Sequence, residues 1–161
     1  GPCGYGLPSV VGAKIGRPDV PVVGFSGDGA FGIAVNELTA IGREEWPAVT
    51  QIVFRNYQWG AEKLNSTLWY DDNFVGTELD TQVSYAGIAK ACGLQGVVAK
   101  TMDELTEALH TAIKDQMENG KTTLIEAMIN QELGEPFRRD AMKKPVAVAG
   151  VSASDMREQV V

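Results

Sequence analysis

Apolar and polar positions change their spacing along the chain in a way that predicts strands and helices in alternation. Short runs rich in β-branched or aromatic residues, typical of buried parallel strands, precede Gly27 and recur at 49–54, 96–99 and 123–129. Segments with apolar residues at helical spacing lie at 4–15, 31–43, 84–92 and 101–117. This alternation predicts an α/β fold with a doubly wound parallel sheet.

The pattern also predicts which residues of the first strand and the last helix are buried, and where that helix begins. Val22, Val23 and Phe25 are expected inside the first strand. The last helix is expected to begin at a capping box made by Thr101 and Glu104. Its predicted buried stripe consists of Leu105, Leu109, Ala112 and Ile113.

The length of 161 residues predicts one domain, with a sheet-bearing part over residues 1–130 and a tail or lid over 131–161. The chain starts without Met, and Gly1-Pro2-Cys3-Gly4 reads as the middle of a loop. Gly1-Pro2 can be a tag remnant, but we expect the chain to be one domain of a longer protein.

Charge and cysteine content narrow the class of partner. The net charge is −7 and the pI about 4.7, which argues against nucleic acid or an anionic membrane surface as a general partner. No apolar run approaches the length of a membrane span. Cys3 and Cys92, in a chain without a secretory signal, indicate a reducing, cytoplasmic setting.

The clearest candidate chemistry lies at Gly27-Asp28-Gly29, where a strand passes into a helix. Glycines on both sides of Asp28 allow a tight turn, and the amides that follow form an anion site. A carboxylate at such a turn repels bare phosphate unless a divalent cation lies between them. Mg²⁺ is commonly held by one or two protein oxygens, phosphate oxygens and water, so this turn predicts a metal–diphosphate site.

Asn56 follows the second predicted strand, and the carboxyl ends of parallel strands meet at one edge of the sheet. Asp28, the Asn56 side-chain oxygen and the Gln58 carbonyl could therefore complete an octahedral Mg²⁺ site with a diphosphate and water. In a purely structural alternative, Asp28 caps a helix and Asn56 makes a turn. The pair at two strand ends favours the metal site.

The segment from Tyr57 to Gln82 has no clear periodicity, and so long an irregular stretch is more often functional than not. Its aromatic residues suit a subunit interface, a cofactor cleft or ordinary packing equally well: Tyr57, Trp59, Trp69 and Tyr70.

Two rival motifs compete with the metal–diphosphate interpretation. Residues 27–32 also fit G-x-G-x-x-G, the dinucleotide fingerprint, but Asp28 would then face a pyrophosphate without a metal. Residues 24–28 nearly match the G-x-S-x-G nucleophile elbow, but Asp28 stands where glycine belongs. His110, in the last helix, is expected to be a partly exposed helix residue and not a catalytic base.

The GDG turn followed by Asn56 resembles the GDG…N motif of thiamine-diphosphate enzymes. The upstream GYGLPSVVGAKIGRPDVPVV is similar to the segment before that motif in the acetolactate-synthase-like group. This resemblance implies thiamine diphosphate and Mg²⁺ as cofactors and the diphosphate-binding domain of the thiamine-diphosphate-binding fold.

The resemblance also implies roles for individual residues. Asp28, Asn56 and the Gln58 carbonyl would bind the metal. The other implied cofactor contacts are Gly1, Cys3, Gly27, Gly29, Ala30 and Gly60. Of these, the Gly29 and Ala30 amides would meet the diphosphate, and the Gly1 carbonyl would face the aminopyrimidine.

The chain departs from the family pattern at two positions. Many relatives have Asn-Asn where this chain has Arg55-Asn56, and Cys3 is smaller than the usual residue beneath the bent cofactor. The glutamate that activates the cofactor lies in another domain of such enzymes, usually on a neighbouring subunit. Glu37 is not that residue, so this chain alone is expected to be inactive.

The segments FRNYQWGAEKLNSTLWYDDNFVGTELD and NQELGEPFRRDAMKKP narrow the resemblance to acyltransferases that convert sulfoacetaldehyde and phosphate into acetyl phosphate and sulfite. Lys63, Arg138 and Arg139 are candidate anion-binding residues, with solvated surface charge as the alternative. The resemblance further implies N-terminal domains outside this chain and a homodimer or homotetramer. Another 2-oxo acid carboligase or decarboxylase of the group remains the alternative function.

Overall fold

A computed structural model describes residues 2–133 of the chain. A short 3₁₀ helix at Val35–Glu37 accompanies the regular elements. In chain order, these are α1 (Gly6–Gly16), β1 (Val23–Gly27), α2 (Asp28–Gly32), α3 (Leu38–Ile41), β2 (Thr50–Arg55), α4 (Gly60–Trp69), α5 (Tyr85–Ala91), β3 (Gln95–Ala99), α6 (Met102–Glu118) and β4 (Thr123–Met128).

The four strands form one parallel sheet in the order β1-β2-β4-β3. Each parallel pairing needs a crossover, and helices supply these connections on both faces of the sheet. The predicted α/β fold with a doubly wound parallel sheet is therefore confirmed.

Two hydrophobic clusters lie on opposite faces of the sheet. The first joins α1, α2, α3 and α5 to β2 and β4, with Phe31 and Tyr85 in edge-to-face contact at 5.1 Å between ring centroids. The second joins α6 to the other face of β2, β3 and β4, with Ile52, Ala112 and Ile125 among its buried members. Buried strands at the sheet centre follow from this covering on both sides.

The predicted burial of β1 is wrong. Phe25 is 61% exposed, and Val22 and Val23 are half-buried. The reason is topological, because β1 is the edge strand and α6 packs against β2, β3 and β4. Phe25 instead stacks on Phe54 of the neighbouring strand, with 6.2 Å between ring centroids.

The predicted helix over 31–43 is broken into α2, the 3₁₀ turn and α3. Phe31, Leu38 and Ile41 are nevertheless all buried in the first cluster. Packing therefore preserves the apolar spacing although the helix is interrupted. Gly32 lies at the break, where a side chain would collide with the Tyr85 hydroxyl 2.7 Å from its Cβ position.

The capping box of α6 is confirmed: Thr101 Oγ1 accepts from the Glu104 amide, and the Glu104 carboxylate accepts from the Thr101 amide. The predicted stripe is shifted, since Ala108, Ala112 and Gln116 are buried while Leu105, Leu109 and Ile113 are half-buried. Gln116 is buried because its amide bonds both polar groups of the Val22 backbone.

The chain divides into two compact units, the first consisting of residues 1–58 and 78–131. Residues 59–77 belong to the second unit, where α4 replaces the irregular structure predicted there. The division into residues 1–130 and a tail at 131–161 remains a prediction, because residues from 134 onward lie outside the described part. Among the described helices, none is long and apolar enough to span a membrane.

Candidate functional site

The site is built where β1 and β2 end side by side. Gly27 pairs with Phe54 at the last register position of these two parallel strands. Asp28 follows Gly27 directly as the first residue of α2, and Asn56 follows the end of β2. The topology therefore brings together the two residues that the sequence singled out.

The Asp28 carboxylate ties these two strand ends together. Its Oδ2 accepts hydrogen bonds from the backbone amides of Asn56 at 3.1 Å and Tyr57 at 2.7 Å, and from Arg55 Nη1 at 3.1 Å. Its Oδ1 accepts from the Gly29 amide at 2.9 Å. Asp28 is 1% exposed, so these partners replace the water that its charge would otherwise require.

Residues 56–58 form a tight turn beneath this carboxylate. Tyr57 has φ +60°, a left-handed conformation that a bulky residue rarely adopts. The Gln58 amide donates to Asn56 Oδ1 at 3.3 Å, which directs that side-chain oxygen toward the turn. Gln58 is itself buried and donates from Nε2 to the Gln131 carbonyl at 2.9 Å.

The segment with Cys3 lies beside the GDG turn. The Gly4 amide donates to the Ala30 carbonyl at 3.0 Å, which brings residue 3 close to the start of α2. Gly4 has φ +82°, and a Cβ there would lie 2.9 Å from Ile33 Cγ2. Cys3 is exposed, and Gly1 lies outside the described residues.

The Gly29 amide differs from its implied role, since it donates to Asp28 Oδ1. A diphosphate contact by this amide would have to replace or share that bond. Gly27, by contrast, is exposed and has open space around the position of a Cβ. Open space at this glycine is consistent with a ligand that approaches the backbone closely.

The remaining candidates belong to the second unit or lie beyond the described residues. Gly60 is the first residue of α4, and the Lys63 ammonium lies 5.3 Å from the centroid of the Phe74 ring within that unit. Arg138 and Arg139 lie outside the described residues. Of the aromatic residues in the segment, Trp59 and Trp69 are half-buried and Tyr70 is exposed.

Arg55 makes contacts at this turn that the sequence reasoning missed. It is 1% exposed, and its Nη2 donates to the carbonyls of Asp80 at 2.6 Å and Val83 at 3.0 Å. Its guanidinium carbon lies 4.1 Å from the centre of the Tyr57 ring. The available signal was a charged residue directly after the apolar run of Ile52, Val53 and Phe54.

Tyr85 and Glu126 were also missed; Tyr85 contacts Asp28, and Glu126 Oε1 lies 3.4 Å from Arg55 Nε. The Tyr85 hydroxyl donates to the Asp28 carbonyl at 3.0 Å. Burial raises the pKa of Tyr85 above its usual value; Arg55 opposes that shift, while Asp28 and Glu126 add to it. The Tyr85 hydroxyl therefore remains a proton donor at neutral pH.

The donor set at this turn suits a hard cation that brings its own anionic ligand. Asp28 Oδ1 and Asn56 Oδ1 each accept one described bond and retain further acceptor capacity. Within residues 2–133, no group of three or more His, Cys, Asp or Glu could hold a metal by itself. Oxygen ligands from a diphosphate and water fit this arrangement, as Mg²⁺ commonly requires.

Comparison with known proteins identifies two informative relatives. The chain is 86% identical over 161 residues to "Sulfoacetaldehyde acetyltransferase" of Roseovarius nubinhibens, covering the whole chain and 26% of that protein. It is 31% identical over 113 residues to "Acetolactate synthase isozyme 2 large subunit" of Escherichia coli, covering 70% of the chain and 20% of that protein. The chain thus spans about a quarter of the length of these relatives.

Among solved structures, the fold is similar to a thiamine diphosphate-dependent 4-hydroxybenzoylformate decarboxylase of Rhodococcus jostii RHA1. The TM-score is 0.69 at 27% identity, over 81% of this chain and 24% of that one. The family described as "Thiamine pyrophosphate enzyme, C-terminal TPP binding domain" matches residues 1–127. The chain therefore belongs to the thiamine pyrophosphate enzyme family, as a C-terminal TPP-binding domain.

Proposed function

We propose that this chain is the cofactor-binding part of a thiamine-diphosphate- and Mg²⁺-dependent acetyltransferase, which converts sulfoacetaldehyde and phosphate into acetyl phosphate and sulfite. The observation that carries the substrate choice is the 86% identity, over the whole chain, to a protein named for that substrate. The geometry of the Asp28 turn supports the cofactor and metal part of the proposal.

The chain's own residues would hold the cofactor at its diphosphate end. Asp28 Oδ1, Asn56 Oδ1 and the Gln58 carbonyl would bind Mg²⁺, and Gly27, Gly29 and Ala30 would lie along the diphosphate. When bound, thiamine diphosphate supplies the nucleophile and the electron sink for cleavage beside a carbonyl group. The task of this domain is then to orient the cofactor and to neutralise its charge.

The Asp28 carboxylate would need little reorientation when a metal binds at this turn. Oδ2 of Asp28 is already occupied by three donors, so the carboxylate is held in one orientation before any ligand arrives. Preorganised groups of this kind lower the entropic cost of binding. Cys3, beside Ala30, and Gly60, at the start of α4, are proposed as further cofactor contacts.

The remaining parts of the enzyme would come from outside this chain. We propose a cytoplasmic homodimer or homotetramer, in which N-terminal domains supply the activating glutamate. Lys63, Arg138 and Arg139 are proposed to attract the sulfonate and phosphate groups, because an overall acidic domain needs local cations for two anionic substrates.

The test uses the full-length enzyme with sulfoacetaldehyde, phosphate, thiamine diphosphate and Mg²⁺. We expect sulfite and acetyl phosphate to form in equal amounts, and both to disappear when phosphate, cofactor or metal is omitted. Pyruvate in place of sulfoacetaldehyde serves as the matched substrate control.

Three outcomes have different meanings. Equal amounts of the two products support the proposal. Cofactor binding without sulfite release, together with turnover of pyruvate, would overturn the substrate and favour a 2-oxo acid carboligase or decarboxylase. Absence of metal-dependent cofactor binding would overturn the assignment of this turn to the diphosphate.

A further inference from the structure

A buried guanidinium lies between two buried carboxylates at the end of β2. Arg55 Nη1 is 3.1 Å from Asp28 Oδ2, and Arg55 Nε is 3.4 Å from Glu126 Oε1 on β4. The side chains of Arg55, Asp28 and Glu126 are 1%, 2% and 3% exposed. Within the described residues, Arg55 Nε has no hydrogen-bond partner, so its contact with Glu126 is an ion pair without a hydrogen bond, and Glu126 acts on Arg55 through charge.

Glu126 also accepts hydrogen bonds at the start of α5 through its second carboxylate oxygen. Glu126 Oε2 accepts hydrogen bonds from Ser84 Oγ at 2.8 Å and from the Ala86 amide at 3.1 Å. Tyr85, the residue between them, lies 5.0 Å from the Arg55 guanidinium and donates to the Asp28 carbonyl. Arg55 therefore joins the two carboxylates directly, while Tyr85 connects the helix start that Glu126 holds to the backbone of Asp28.

The charges in this cluster leave an excess that favours a cation. Two carboxylates face one guanidinium, and among the described residues Arg55 is the only Lys, Arg or His with a salt bridge to either of them. A divalent cation at Asp28 would offset the remaining negative charge. Glu126 therefore contributes more than packing. With a neutral residue in its place, the charge of Arg55 would fully offset that of Asp28, and no excess negative charge would remain to attract a cation.

The two carboxylate oxygens of Asp28 accept different numbers of hydrogen bonds. Arg55 and two backbone amides fill Oδ2, whereas Oδ1 accepts a single described bond, from the Gly29 amide. Arg55 therefore holds the carboxylate so that Oδ1 is the oxygen with spare capacity. Glu126 and the carbonyls of Asp80 and Val83 hold the guanidinium in turn.

We propose that Arg55 and Glu126 form a positioning pair, which fixes Asp28 for monodentate binding of the metal through Oδ1 and sets the metal affinity of the site. This inference rests on the proposed function, in that it takes Asp28 as a metal ligand. Neither Arg55 nor Glu126 touches the metal in this scheme; both act through Asp28.

The test measures metal affinity in the full-length enzyme with Mn²⁺ as the probe for the Mg²⁺ site. Free Mn²⁺ is followed by electron paramagnetic resonance at saturating thiamine diphosphate, for wild type, Glu126→Gln and Arg55→Lys. Gln keeps the shape of Glu126 but removes its charge, and Lys keeps the charge of Arg55 but not its fork of donors. We expect each variant to bind Mn²⁺ about 10–100-fold more weakly, the usual effect of losing a group that orients a metal ligand.

A double variant and a matched control variant distinguish a positioning role from general destabilisation of the enzyme. If the two residues act as one unit, the double variant loses about as much affinity as the weaker-binding single variant. Glu107→Gln removes the same charge from an exposed position on α6 and is expected to leave Mn²⁺ affinity unchanged. Thermal unfolding is recorded for every variant to identify those that remain folded.

The outcomes distinguish this inference from the proposed function. Wild-type enzyme that binds Mn²⁺ while folded Glu126→Gln or Arg55→Lys enzyme binds it within twofold of wild type overturns the positioning pair alone. If Glu126→Gln does not fold, Arg55→Lys decides by the same criterion. Wild-type enzyme that fails to bind Mn²⁺ with thiamine diphosphate overturns the metal site, and the inference with it.

Discussion

The backbone amide of Tyr57 donates to Asp28 Oδ2 at 2.7 Å, the shortest of the four hydrogen bonds that this carboxylate accepts. Tyr57 makes this bond from a left-handed conformation with φ +60°. The backbone strain and the short bond belong together, because the turn must curl to present two successive amides to one oxygen. This contact is the basis of the first two predictions.

Asp28→Asn is expected to abolish metal-dependent binding of thiamine diphosphate. The neutral amide loses the charge that attracts the metal. If its NH2 group faces the donors of Arg55, Asn56 and Tyr57, it cannot accept from them; if its oxygen faces them, the NH2 group takes the Oδ1 position and cannot bind a metal. Cofactor affinity is measured by fluorescence quenching of the full-length enzyme at several Mg²⁺ concentrations. Asp103→Asn, in the exposed first turn of α6, is the matched control. Binding by Asp28→Asn within threefold of wild type would contradict the prediction.

Tyr57→Val is expected to weaken cofactor binding and to destabilise the enzyme by about 1–3 kcal/mol, because a β-branched residue is strained at positive φ. It also removes the ring that lies 4.1 Å from the Arg55 guanidinium. Tyr57→Phe retains the ring and should remain within about 0.5 kcal/mol of wild type. Unfolding in urea and titration with the cofactor are measured for both variants. Equal stability and equal cofactor affinity of Tyr57→Val and Tyr57→Phe would contradict the prediction.

Alanine in place of two glycines is expected to have opposite effects. A Cβ on Gly96 of β3 would lie within 2.1 Å of the Ala86 carbonyl oxygen of α5, so Gly96→Ala must force the helix and strand apart and costs about 1–3 kcal/mol. Gly12, inside α1, has open space around its Cβ position, so Gly12→Ala stabilises by about 0.5–1 kcal/mol. The shift in melting temperature of each full-length variant provides the measurement, and shifts of the same sign would refute this account.

Tyr85 makes stability depend on pH in the alkaline range. Burial raises the pKa of its hydroxyl above the ordinary value of 10.0. The contribution of Tyr85 to the free energy of unfolding is therefore fully present below pH 10. It is lost as the pH rises through the higher pKa of the folded state. Tyr85→Phe cannot ionise, so the melting-temperature difference between wild type and Tyr85→Phe should shrink or reverse above pH 10. A difference independent of pH up to the alkaline limit of the enzyme would contradict the assigned role.

Much of the fold could be predicted because its signals are local. The β-branched runs, the capping box at Thr101 and Glu104, and the glycines around Asp28 each act over a few residues. The α4 helix lacked such a signal, since none of its residues is buried and it has no fully buried apolar stripe to recognise. The exposure of Phe25 could not be predicted either, because the residues of a strand do not indicate whether it lies at the edge or the centre of the sheet.

The sequence by itself determined the class of fold, the family, and the two strand ends at which Asp28 and Asn56 lie. The fold class and the strand ends follow from periodicity and turn chemistry, and the family follows from the resemblance of the GDG…N motif, which joins Asp28 to Asn56 through a single strand–helix–strand unit. Only the tertiary structure decided how the site is held. Glu126 is far from Arg55 in sequence and reaches it only because β4 pairs with β2. Helix α5 meets Arg55 through the Tyr85 ring and Glu126 through the Ala86 amide. Long-range pairing of buried charges depends on the order of the strands, and that order is set by how the whole sheet packs.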